Sequence, residues 1–106
     1  EVPATLQEWV RGADVGRLPL TLMQDIRSFL PRATTINAES RRQLSRDLLR
    51  RTLPHVAPAP PPGTDPEAFL TAVIAERSRR DEARLRRGQQ RQRELSEEVR
   101  AVPFTG

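Results

Sequence analysis

Residues 64–93 constrain the fold most: a proline run releases there into a strongly specified helix start, a short apolar stripe follows, and the stripe gives way to arginine. Pro66 suits a first helical turn, where a missing N–H costs nothing, and either Thr64 or Asp65 can cap the free amides. With Thr64 as cap, Glu67 completes a Thr-x-x-Glu capping box; with Asp65 the helix is the same. Phe69, Leu70, Val73 and Ile74 fall on one face at helical spacing, and Arg77, Arg80 and Asp81 stand where that face would continue. The core-facing part therefore lasts about two turns. Beyond Arg77 the helix is expected to leave the domain as a solvated arm, since Leu85 is the single large apolar residue between Ile74 and Leu95.

Basicity is concentrated in that arm. All 18 basic residues are arginines, and eight of them lie in 77–93 against Asp81 and Glu82, a local charge of +6 in a chain of net +4. The remainder is close to neutral, so the charge belongs to one segment rather than to the fold. Within the segment, Glu76–Arg80 and Glu82–Arg86 have the spacing of helical ion pairs. Gly88 and the wholly polar 87–94 mark a place where the helix is expected to fray, with Leu95, Val99 and Val102 available for a short local contact, Pro103 to close any helix and 104–106 loose.

The rest of the chain reads as three short helices. The first spans about 4–10, with Leu6, Trp9 and Val10 inward and Gly12 as its stop; Trp9 is read as a core anchor. A connector over 13–18 is tacked down by Val15 and Leu18. The second helix begins near 19–21 and is expected to end at Phe29 or Leu30, because Pro31 disfavours helical geometry in the residue before it. The third, about 38–53, is capped by Asn37, with Leu44, Leu48, Leu49 and Leu53 on its buried side and Arg41, Arg42, Arg46, Arg50 and Arg51 on a solvated one, where Asp47 can pair with Arg50 or Arg51. Pro54 ends it. Pro58, Pro60, Pro61 and Pro62 favour an extended polyproline spacer that sets the distance to the fourth helix.

The expected architecture is all-α: a three-helix body over 1–57, a proline-rich bridge over 58–65, a fourth helix over 66–87 docked by its N-terminal half, and a basic, partly disordered tail over 88–106. Trp9, Phe29, Leu48, Phe69 and Val73 are the expected packing residues. An apolar content of 36% makes the core small.

Chemistry is hard to find in this pattern. There is no cysteine, and the single histidine, His55, has no serine or aspartate beside it to orient it as a base. No phosphate loop, metalloprotease helix, nucleophile elbow or calcium loop occurs. The chain reads as non-enzymatic, without cofactor or metal. No apolar run approaches a membrane span, and the acidic, proline-containing 1–3 is unlike a signal peptide. The candidate site is the arm itself: Arg79, Arg80, Arg84, Arg86, Arg87, Arg91 and Arg93. Such an arm suits an anionic membrane surface, an acidic protein or a nucleic-acid backbone. The absence of aromatic residues over 70–103 weakens the last of these, leaving a freestanding nucleic-acid-binding protein and a self-associating helical adaptor as alternatives.

One resemblance narrows the choice. Trp9, then Asp14-Val15-Gly16-Arg17-Leu18, then Ile26-Arg27-Ser28-Phe29-Leu30-Pro31-Arg32, the Asn37–Leu49 helix, Pro60-Pro61-Pro62-Gly63 and Phe69-Leu70-Thr71-Ala72-Val73-Ile74-Ala75-Glu76-Arg77 stand in an order that resembles the cytoplasmic C-terminal tail of many actinobacterial RDD-family membrane proteins. The likeness covers most of 5–87. RDD proteins as a class act in transport, some in cation/proton exchange, but the family's defining arginine and aspartates lie in its membrane helices and have no counterpart here. What the resemblance implies is a cytosolic interaction or regulatory domain at the plasma membrane's cytoplasmic face, in contact with its own transmembrane region, in keeping with arginine-rich flanks on that side.

Overall fold

A computed structural model describes residues 2–101; Glu1 and residues 102–106 lie outside it, and with them the expectations for Val102, Pro103 and 104–106. The chain folds into four helices: α1 (Ala4–Gly12), α2 (Leu20–Arg32), α3 (Ala38–Thr52) and α4 (Pro66–Ala101), with 3-10 turns at Ala33–Thr35 and Leu53–His55. Among the described residues the extended backbone pairs only once, between Asp14 and Ala57. The expected small all-α domain is what forms.

α4 is the element the others share. It packs on α1, α2 and α3, while α2 also packs on α3. Phe69, Leu70 and Val73 are fully buried, so α4 supplies the middle of the core rather than docking on a finished three-helix body. Around them lie Leu6 and Val10 of α1, Leu22, Ile26 and Phe29 of α2, and Leu48 of α3. Trp9 anchors α1 as expected: its ring centroid lies 5.6 Å from that of Phe69, and its indole N–H donates to the Pro58 carbonyl at 3.1 Å.

The start of α4 is settled in favour of Asp65, whose carboxylate accepts from the Ala68 N–H at 3.0 Å. Thr64 donates instead to the Pro61 carbonyl. Glu67 closes no capping box; it takes both Nε and Nη2 of Arg41, at 2.6 and 2.7 Å, and so ties α3 to α4. This hydrogen-bonded pair holds the Glu67 carboxyl below the ordinary glutamate range. Arg41 therefore does not belong to a free basic face.

Two further expectations need correction. α2 runs through Pro31 to Arg32 rather than ending at Phe29 or Leu30. Phe29 and Ala33, both buried, lie on either side of the proline and pull the last turn onto the core, which outweighs the local bias of a residue preceding proline. Arg32 Nε also donates to the Ser28 carbonyl in that turn. On α3 the buried line is Ser45, Leu48 and Thr52, with Leu49 partly covered, while Leu44 and Leu53 are 40% and 37% exposed. Ser45 and Thr52 can be buried because each hydroxyl bonds a carbonyl of its own helix, Arg42 at 3.0 Å and Leu48 at 2.7 Å. Asn37 caps α3 as expected, and Asp47 pairs with Arg50; Arg51 reaches across to Asp25 of α2.

The segment that leads into the prolines is also a strap, held to the body at several points. Ala57 exchanges two backbone hydrogen bonds with Asp14, Val56 is buried, and Pro58 accepts the Trp9 indole. The strap thus clamps the 13–18 connector, whose Val15 and Leu18 are buried as expected.

The helix also continues without a break through Gly88 to Ala101, where fraying and a partly disordered tail were expected. Glycine costs about 1 kcal/mol relative to alanine inside a helix. That cost is small for a helix already nucleated in the core and rich in arginine, glutamine and glutamate, and Gln90 donates to Glu94 one turn on. The molecule is consequently long, 74 × 26 × 23 Å, with a radius of gyration of 19.5 Å. A compact chain of this length would have about 13 Å.

Candidate functional site

The arginines of α4 divide into two groups at Asp81. Those before it work inside the domain. Arg80 lies over the end of α1, its Nη2 donating to the carbonyls of Ala13 at 2.8 Å and of Val10 and Arg11 at 3.3 Å. A helix end leaves its last carbonyls short of intrahelical partners, and although the Val10 carbonyl also accepts the Ala13 N–H, Arg80 supplies the donor from another helix that caps the end of α1. Its Nε meets Glu76 at 2.7 Å, the helical pair that the spacing predicts. Glu76 is only 6% exposed and also receives Arg79. The Arg79 hydrogen bond holds the Glu76 carboxyl below its usual range; burial opposes this and Arg80 reinforces it. Arg77 donates to the Gly16 carbonyl at 3.0 Å and pairs with Asp81 at 3.2 Å.

Arg79 and Arg80, expected as part of the basic arm, therefore sit at its root, and Arg80 serves the body. Arg84 stands 3.9 Å from Asp81. Arg86, Arg87, Arg91 and Arg93 are exposed and form no ion pair among the described residues; the Glu82–Arg86 pair suggested by spacing is not made.

Along the free part of the helix the arginines are ordered. Arg79, Arg86, Arg93 and Arg100 recur every seven residues, on a line turned away from the face that buries Phe69 and Val73. At 1.5 Å per residue they stand about 10 Å apart, with a drift of only ~20° per step. Arg100 was not singled out from local charge, because Glu97 and Glu98 precede it; the seven-residue period would have found it. A second line on the same helix, Leu85, Gly88, Gln92, Leu95 and Val99, alternates steps of three and four. Leu85, Leu95 and Val99 are 66%, 55% and 74% exposed, so the expected local contact between Leu95 and Val99 shields neither.

Elsewhere, a groove between α2 and α3 has Phe29, Leu44 and Leu48 in its floor and Asp25, Asp47, Arg32, Arg50 and Arg51 around it, a rim of nearly balanced charge. His55 closes the 3-10 turn before the strap. Among the described residues no group of three or more histidines and carboxylates stands close enough to hold a metal ion, and no helix is long and apolar enough to cross a membrane. Compared with known proteins, the chain matches no family model, no curated protein and no solved structure.

Proposed function

We propose that this chain is a non-catalytic interaction domain of an RDD-family membrane protein, held at the cytoplasmic face of the plasma membrane, where its arm lies on anionic lipid. The observation that carries the reading is the line Arg86, Arg93 and Arg100, continuing from Arg79 at the root, on a helix that projects out of the packed body. A straight row of exposed guanidinium groups on one face can meet a flat anionic surface along its whole length. Each contributes about 1 kcal/mol near such a surface. No apolar residue lies on that line, so the arm rests on headgroups without inserting. The body, with its nearly charge-balanced groove between α2 and α3, is left to meet a protein partner, the transmembrane region of the same protein included.

Two experiments test this. An antibody against the chain should detect a band in the membrane fraction of source cells, well above 12.0 kDa. A soluble band at the chain's own mass discards the RDD reading. Separately, the chain should sediment with phosphatidylglycerol-containing vesicles and not with phosphatidylcholine vesicles. Changing Arg86, Arg93 and Arg100 together to glutamine should weaken that binding on the order of a hundredfold, as three contacts of this size require. Equal binding to both vesicles would discard the anionic-lipid reading, and tighter binding to duplex DNA than to either would move nucleic acid to the front.

A further inference from the structure

We propose that the second line on α4 is a dimer seam: Leu85, Gly88, Gln92 and Leu95 pair antiparallel with the same residues of a second copy, and Val99 extends the seam past the partner's Leu85. Leu85 then lies against the partner's Leu95, and Gly88 against the partner's Gln92. The inference does not rest on the membrane reading, because it uses a different face of the helix and leaves Arg86, Arg93 and Arg100 outward.

The spacing comes first. Steps of three and four keep these five residues in one line along the helix, the pattern by which two helices bury a shared seam. The molecule's own body reaches that line only at its root, where Ser78 accepts from Arg27 of α2, while Asp81 is held by Arg77 of the same helix. From Leu85 outward it is open, and three large apolar side chains stand in water on a helix otherwise made of charge and amide. Gly88 supplies shape. A side chain added there would meet nothing, and the residue sits in a shallow groove with Leu85 and Gln92. A long glutamine from a second copy fills the space that the glycine leaves.

Charge selects the direction. Residues 84–93 carry five arginines and no acid, whereas 94–98 carry Glu94, Glu97 and Glu98 and no base. Parallel pairing would set the two arginine segments side by side. Antiparallel pairing centred near residue 90 confines that overlap to 87–93 and sets the start of each segment, 84–86, against the glutamates of the other, with Arg84, which flanks the seam, beside the partner's Glu98. Only about two and a half heptads overlap, two of the layers contain Gly88 and Gln92, and short helices of this kind are marginal alone, so the association is weak and concentration-dependent.

Sedimentation equilibrium of the full chain over a roughly hundredfold range of concentration should show the mass rising from 12.0 kDa toward twice that value. Leu95→Arg, at a residue outside the body, should keep its helical circular dichroism at low concentration and weaken association by at least ~10-fold. Orientation can be read by disulfide trapping, since the chain has no cysteine of its own. L85C and L95C, each alone, should trap little dimer, and their mixture should trap it readily. A monomer at every concentration, an unchanged association in L95R, or L85C cross-linking to itself as fast as the mixture would each overturn the proposal.

Discussion

Replacing Phe69 with alanine is expected to destabilise the domain by about 3–5 kcal/mol, the range for emptying a fully buried phenylalanine site. Its ring is 0% exposed, lies in the first turns of the one helix that touches all the others, and meets the Trp9 ring. The cavity left behind would border residues from several elements and could not close by shifting one of them. Domains of this size have a total stability of about 5–15 kcal/mol. With so small a core the variant should lose a large share of its stability and show a much lower urea midpoint. An unchanged midpoint would mean that α4 is not part of the core.

Arg80→Ala should cost about 2–3 kcal/mol, although the residue lies in a stretch that reads as solvated arm. Hydrogen bonds to charged groups contribute about 1.5–3 kcal/mol each, and removing one partner of a buried ion pair costs more than the pair contributes. The loss strips a donor from three carbonyls at the end of α1 and leaves Glu76 with Arg79 alone. Arg80 keeps some solvent contact and Arg79 remains, which places the figure below the full cost of breaking a buried pair. Arg86→Ala, a few turns on, should change stability by less than about 0.5 kcal/mol.

Acid should separate the same two variants. Glu76 titrates lower when folded than when unfolded, so its contribution is complete above the unfolded value and is lost as pH falls through the folded one. The parent chain and Arg86→Ala should lose this contribution together on acidification. Arg80→Ala should lose less of it, having surrendered part of the cause.

The fold was legible where one side chain decides a local structure. Asn37 and the Thr64–Asp65–Pro66 start place two helices, and Phe69, Val73, Phe29 and Leu48 are inside as their spacing requires. It was least legible where tertiary contact reverses a local preference. Pro31 reads as a stop until Phe29 and Ala33 are seen to pack on either side of it. Leu44 and Leu53 look more buried than Ser45 and Thr52, and the order reverses because the two hydroxyls satisfy themselves and let α4 come close. Arg77 and Arg80 resemble their neighbours in charge, and only the end of α1 and the connector after it, more than sixty residues earlier, give them work inside the domain. The candidate arm was visible as a charge run, but its two lines, one of arginines and one apolar, needed a helix carried past Gly88 to become straight.

α4 is thus one continuous helix with two roles, core before Asp81 and free arm after it. Hydrogen exchange by residue, on protein dilute enough to keep copies apart, tests that division most directly. Amides over 69–80 should exchange only through global unfolding, and those over 86–100 far faster, through local opening, with the change falling near Asp81. Uniform slow exchange to residue 100 would mean that the arm is packed on something. Uniform fast exchange from residue 69 would mean that the helix was never the centre of the core.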